Sequence, residues 1–228
     1  MERTVINGIP AIVWGKPSGR AYIHVHGKLS CKEHAAGFAA IAEKKGWQTI
    51  SFDLPQHGER AHEERLCDVW NGVRDLKEIH RYVSARWKKT ALYACSLGAY
   101  FSLQTYAGED FEKCLFQSPI VDMEYLVGQM MRWFDVTEER LMREKCIDTP
   151  MDALRWDYYR YIKAHPVEKW DIPTAILYGG RDDMQSIGVM RSFSERFGCS
   201  LTVSENSMHP FMEDADAAIV SAWLEENI

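Results

Sequence analysis

The sequence predicts an α/β fold, a mostly parallel central sheet flanked by helices, with an antiparallel hairpin at its start and a helical insertion late in the chain. Three observations predict it. Short apolar runs alternate repeatedly with stretches of helical spacing. Asn7-Gly8 stands between two β-rich runs. From Ile120 to Trp170 the strand pattern ceases.

Taken in order, "TVINGIPAIVWG" reads as a hairpin turning on Asn7-Gly8, because that pair tolerates the positive φ angles a two-residue turn demands. After a turn region from Gly15 to Gly19, "RAYIHVHG" is a strand that stops at Gly27. The stretch "CKEHAAGFAAIAEKKG" then has helical spacing closed by Gly46. The unit recurs as "WQTISFDL" with a helix over about Cys67 to Trp87, and again as "TALYAC" with "LGAYFSLQTYAG". "KCLFQSP" follows as another buried strand. Alternation of this kind implies parallel neighbours joined by right-handed crossovers. The segment from about residue 121 to 170 is expected to be a helical cap rich in Met and aromatic residues. "IPTAILYGGRDD" restores the strand, "SIGVMRSFSERFG" is a helix and "CSLTVSEN" a last strand. "DADAAIVSAWLEENI" is a last helix with Asp214 or Asp216 available to cap it. At 228 residues a single domain over 1–228 is expected.

Composition narrows the function. The 27 basic and 33 acidic residues give a net charge of −6, and no Lys/Arg block stands anywhere, so nucleic acid is excluded as an expected partner. No basic leader and no run approaching about 18 apolar residues is present, so no membrane partner and a cytoplasmic location are expected. The six cysteines lack C-x-x-C pairs, which predicts neither a disulfide framework nor a zinc site. His24 and His26 lie two apart on one strand, yet no carboxylate or cysteine stands at ligand spacing beside them. They are expected to be structural, with no metal.

Chemistry gathers at three strand ends. A serine hydroxyl needs a base within hydrogen-bond reach and an acid behind that base. In an open α/β sheet such residues converge on loops at the carboxyl ends of strands. Ser96 follows "TALYAC", Asp182 and Asp183 follow "TAILYGGR", and His209 follows "LTVSENSM". Ser96 could otherwise serve only as a helix N-cap. Cys95, beside it, is expected in the core.

These residues make the chain resemble the α/β-hydrolase superfamily. Its nucleophile elbow G-x-S-x-G is matched by Ala94-Cys95-Ser96-Leu97-Gly98, with alanine in the first place. "HVHGK", "FDLPQHGER", "LYGGRDD" and "MHPF" stand in the family's strand-by-strand order, and the order Ser, acid, His is also the family's. The resemblance implies an α/β-hydrolase fold, Ser96 as nucleophile, His209 as base and Asp182 as acid, with Asp183 and Asp122 as rivals for the acid. It implies an oxyanion hole made by the backbone amides of Lys28 and Leu97, with the Lys28 side chain solvated, and places His57 as a brace beside the site. Met130, Trp133, Trp156 and Tyr159 of the cap are the candidates for an apolar substrate pocket. The activity implied is a cofactor-free serine hydrolase acting on a small-molecule carboxylic ester through an acyl-enzyme. Thioester, amide or peptide hydrolysis and acyl transfer use the same machinery, and a non-catalytic ligand-binding protein on this scaffold is the alternative from another class.

Overall fold

The computed structural model describes residues 1–228. The first two strands, β1 (Glu2–Ile6) and β2 (Ile9–Trp14), form the expected hairpin, with Asn7 at φ 49° and Gly8 at φ 85°. Next come β3 (Arg20–Val25), α1 (Ala36–Lys44), β4 (Gln48–Phe52), α2 (Val69–Ser84), β5 (Lys89–Cys95), α3 (Leu97–Tyr106) and β6 (Cys114–Gln117). A mainly helical stretch holds α4 (Met123–Trp133), α5 (Glu138–Glu144), the short strands β7 (Cys146–Ile147) and β8 (Leu154–Arg155), and α6 (Trp156–Ala164). The chain closes with β9 (Thr174–Gly179), α7 (Ile187–Phe197), β10 (Ser200–Ser204) and α8 (Asp216–Asn227).

Eight strands form one sheet in the order β1-β2-β4-β3-β5-β6-β9-β10. β2 pairs antiparallel with both neighbours, and every pairing from β4 to β10 is parallel. The six parallel strands therefore end at a common edge, where the loops carrying Lys28, His57, Ser96, Asp122, Asp182 and His209 emerge. Adjacent residues of the central strands face opposite sides of the sheet, so Ile23, Leu92, Phe116 and Ile176 join a 41-residue core with α2 and α3. Tyr22, Ala91, Leu115 and Leu177 join a smaller one with α1 and α8. Burial on both faces is why these strands read as unbroken apolar runs. Helix α2 turns Leu76, Ile79 and Val83 inward at spacings of three and four, and lies so near α3 that a side chain at Gly72 would come within 2.5 Å of Phe101.

Two details depart from the sequence-based expectation. The insertion contains the two-residue strands β7 and β8, paired antiparallel, which are too short for any alternation to register. Neither Asp214 nor Asp216 caps α8 from the preceding position. Ala215 stands there, and the Asp216 carboxylate accepts from the Ser207 hydroxyl (2.6 Å) and the Glu213 amide (3.0 Å), bracing the preceding loop instead.

The loops after β3 and β4 are tied by a buried ion pair. Lys32 Nζ lies 2.6 Å from Asp53 Oδ2, with the two side chains 1% and 0% exposed. The Asp53 carboxylate also accepts from the Lys32 and Glu59 amides at 2.9 and 3.0 Å. Removing one partner strands a buried charge, so Lys32→Ala is expected to cost about 3–5 kcal/mol in denaturant unfolding. A loss below about 1 kcal/mol, the range of an exposed pair, would contradict this account.

Candidate active site

The turn from β5 into α3 is strained at one residue. Ser96 has φ 51° and ψ −121°, a region that L-residues rarely occupy. What forces it is the approach of α3 to the end of β3: a Cβ at Gly98 would sit 2.5 Å from the His26 carbonyl oxygen and 2.7 Å from that of Val25. Gly27 is tight but less confined, since a Cβ there would meet Ser96 Cβ at 3.0 Å. Ala94 is fully buried, and a methyl group fits where the family pattern has glycine. Ser96 does not cap α3 with its side chain. The Ala99 amide bonds to the Ser96 backbone carbonyl at 3.0 Å instead, leaving the hydroxyl free to point elsewhere.

That hydroxyl lies 2.8 Å from His209 Nε2. On the other side of the ring, Nδ1 lies 2.8 Å from Asp182 Oδ2. The second carboxylate oxygen of Asp182 accepts from the amides of Met184 (2.8 Å) and Gln185 (3.1 Å), so both oxygens are engaged and the Asp182 side chain is fully buried. The structure thus brings Ser96, His209 and Asp182 together. It brings neither rival acid to the imidazole: Asp183 is exposed, and Asp122 caps α4 by accepting from the Tyr125 amide at 2.8 Å. Cys95 is packed among apolar residues, and burial, reinforced by the charge of Asp182, pushes its thiol up to about 12.

Two glutamines that carry no sequence motif hold this arrangement. Gln185 is fully buried; its carbonyl accepts from the Val121 and Asp122 amides (3.1 and 2.9 Å), and its amide nitrogen donates to the Asp122 carbonyl (3.0 Å). The acid loop is thereby clamped to the start of α4. Gln117, at the end of β6, accepts from Tyr93 Oη (2.7 Å) and donates to the Pro210 carbonyl (2.9 Å), anchoring the loop that carries His209.

The loop after β3 offers backbone donors. The His26 ring accepts from the Leu54 amide at Nε2 (3.0 Å), which puts its proton on Nδ1, where it is donated to the Gly27 carbonyl (2.7 Å). A trans peptide is planar, so pinning that carbonyl turns the Lys28 N–H the opposite way. His57 works similarly on the next residue: its Nε2 accepts from the Leu29 amide (3.1 Å) while Nδ1 donates to the Pro55 carbonyl (2.8 Å). The N–H groups of Lys28 and Leu97 donate to no other group of the chain, and Leu97 opens α3, where the helix dipole adds positive potential. The Lys28 side chain is exposed, and its ammonium pairs with Asp152 and donates to the Met151 carbonyl at 3.3 Å.

The four cap residues expected to form a pocket have different surroundings. Met130 is buried in the main core and Trp133 is 43% exposed. Trp156 lies beside Tyr159, with ring centroids 6.1 Å apart and the planes tilted by 44°, and Tyr159 donates to Glu138 at 3.2 Å. A cleft of about 390 Å³ between α4, α6 and α7 is lined by residues that include Tyr100, Val121, Met123, Ile162, Val189 and Phe193, and Tyr159 lines a second one of about 440 Å³ with Gly128, Met131 and Val136. Composition marks such side chains as contact-making without saying which neighbour they contact. No group of three or more His, Cys, Asp or Glu side chains is arranged to hold a metal ion, and no helix is long and apolar enough to cross a membrane.

A mostly parallel sheet with this strand order, opened by an antiparallel hairpin and carrying Ser96 on a strained strand-to-helix turn, is the α/β-hydrolase fold. Solved structures agree. Est1E from Butyrivibrio proteoclasticus with bound ferulic acid superposes with a TM-score of 0.78 at 16% identity, over 99% of this chain and 97% of that one. Alpha/beta hydrolase domain-containing protein 10 from mouse gives 0.76 at 15% identity, over 96% and 92%. The monoacylglycerol lipase of Paleococcus ferrophilus gives 0.67 at 15% identity, over 99% of both chains. No protein-family model and no curated sequence matches the chain.

Burial also sets a pH dependence. His24 is enclosed between Tyr93 and Phe38, and burial lowers its pKa to about 3; the same cause lowers His26 to about 4. Both rings are neutral in the folded chain and regain a value near 6.5 on unfolding, so between these limits the unfolded state binds more protons. Stability is therefore expected to fall as pH drops from about 6.5 through about 4 and to level off for these groups below about 3. His24→Phe keeps the ring and removes the proton site, so it should flatten the slope between about pH 6 and pH 4 in denaturation experiments. A slope unchanged from wild type would show that His24 does not contribute it.

Proposed function

We propose that the chain is a serine hydrolase that cleaves small carboxylic esters, with Ser96 as nucleophile, His209 as base and Asp182 as orienting acid. The observation that carries this is the unbroken hydrogen-bonded series from Ser96 Oγ through both nitrogens of His209 to a fully buried Asp182. The esterases and the monoacylglycerol lipase among the structural relatives support an ester as the bond broken.

The chemistry follows from the geometry. His209 Nε2 takes the Ser96 proton as Oγ attacks the ester carbonyl, and the imidazolium is stabilised by Asp182, whose other oxygen is satisfied by two amides. The amides of Lys28 and Leu97 receive the oxyanion; both are free of other acceptors and need no reorganisation at that moment. The tetrahedral adduct then collapses, His209 returns the proton to the leaving alkoxide, and an acyl-serine remains. A water deprotonated by His209 attacks it and regenerates Ser96. None of these steps calls on a cofactor. The stretch from about 121 to 170 is read as a cap, supported by the contact of Asp152 with Lys28. Six free thiols fit a reducing cytoplasm.

Fluorophosphonate labelling and a panel of chromogenic esters test this. Ser96→Ala should lose both labelling and turnover with the fold intact by circular dichroism. Asp182→Asn should keep Ser96 in place but favour the wrong imidazole tautomer, costing up to about 10⁴-fold in kcat. Wild type that neither labels nor turns over any ester, or Ser96→Ala that retains activity, would refute the assignment and turn attention to a ligand-binding role.

A further inference from the structure

We propose that Asp152, held by the Lys28 side chain, determines which esters reach Ser96, by closing one side of the mouth; this rests on the serine-hydrolase function proposed above. The backbone around Lys28 is pinned on both sides, at the Gly27 carbonyl by His26 (2.7 Å) and at the Leu29 amide by His57 (3.1 Å). Gly27 itself abuts Ser96. The Lys28 side chain therefore starts from a fixed point beside the nucleophile. Its ammonium ends on the Asp152 carboxylate and on the Met151 carbonyl at 3.3 Å. The turn between β7 and β8 thus lies within one lysine side chain of the loop that abuts Ser96.

That turn is built to present Asp152. Thr149 Oγ1 accepts from the amides of Met151 (3.3 Å) and Asp152 (3.1 Å) and donates to the Asp152 carbonyl (2.6 Å). Asp152 Oδ1 accepts from the Ala153 amide (2.9 Å), leaving Oδ2 for Lys28. The other end of the hairpin is fastened separately: Arg155 donates to Asp68 Oδ2 at 3.0 Å, and Asp68 caps α2. The hairpin therefore bridges from the loop beside Ser96 to the start of α2.

Its two fastenings differ in strength. The Arg155 and Asp68 side chains are 24% and 9% exposed, whereas those of Lys28 and Asp152 are 39% and 59% exposed. An exposed pair is weak and screened by salt, so the Lys28 end releases first while the Arg155 end stays attached. Small esters enter with the contact made; bulky ones require it broken.

The test compares kcat/KM for a bulky ester, 1-naphthyl decanoate, with that for a small one, 4-nitrophenyl acetate. Asp152→Asn and Lys28→Met, which keeps the backbone amide, should each raise the bulky-to-small ratio about two- to five-fold, the range an exposed ion pair can supply. The exchanged pair Lys28→Asp/Asp152→Lys should bring the ratio back towards wild type. About 0.5 M NaCl should raise it in wild type and leave the single variants unchanged. Hydrogen exchange of residues 148–153 in the intact protein should quicken in both single variants. A labelled, active wild type whose ratio and exchange are unaffected by either substitution overturns the proposal alone, as does an equal fall on both esters. Wild type that neither labels nor turns over either ester refutes the hydrolase function, and the specificity role falls with it.

Discussion

Everything at the site depends on how closely two backbones approach each other. The start of α3 is pressed against the end of β3, with no room at Gly98 for a side chain that would not strike the opposing main chain, and little at Gly27 beside Ser96. Ser96 is left to absorb the mismatch in a backbone conformation that costs about 1–3 kcal/mol. The sheet offsets that cost locally: the Ser96 amide donates to the Gln117 carbonyl and the Ile120 amide to the Ser96 carbonyl, both at 3.2 Å. The same approach brings the start of α3, where Leu97 stands, against the loop that carries Lys28. The strain and the pair of free amides are two consequences of one packing constraint.

Around that point, the loops are held by side chains that bond to backbone. His26 and His57 each use one ring nitrogen as acceptor and the other as donor, which fixes the tautomer as well as the loop. Gln117 and Gln185 do the same for the loops carrying His209 and Asp182. A neutral imidazole or a carboxamide suits this role because it offers both a donor and an acceptor without bringing a charge that burial would penalise. Where a full charge is buried beside these loops, as at Asp53, it is matched directly, here by Lys32.

This division explains what was legible in the sequence. Strands buried on both faces, the Asn7-Gly8 turn and the small residues around Ser96 are local patterns, and each followed from the residue order alone. The chain order of Ser96, Asp182 and His209 was legible because a parallel sheet sends every post-strand loop to one edge. Gln185 and Gln117 were not, since their partners lie 63 and 93 residues away and a glutamine at a strand end has no periodic signature. The surroundings of the cap residues were not legible for a different reason. An aromatic or methionine on an amphipathic helix must be buried against something, and only the docking of that helix decides whether the something is the core, a neighbouring helix or open space. Met130 met the core, and Trp133 was left at the surface.

Lys28 illustrates the same limit from the charged side. Read alone, a lysine after a His-Gly pair is a solvated residue whose backbone matters and whose side chain does not. Its partner Asp152 lies 124 residues further on, in a turn between strands of two residues each. Two things follow from its position: the Gly27–Lys28 peptide is pinned through the Gly27 carbonyl, and the side chain leaves the neighbouring Cα to reach the turn between β7 and β8. A long charged side chain on a pinned loop therefore sets how far away its partner stands, and Asp152 lies one lysine side chain from the loop that abuts Ser96. The insertion is joined to the sheet edge by this contact as well as by apolar packing, and the contact is the more easily broken of the two because water and salt compete for it while they do not compete for the packed face of α4.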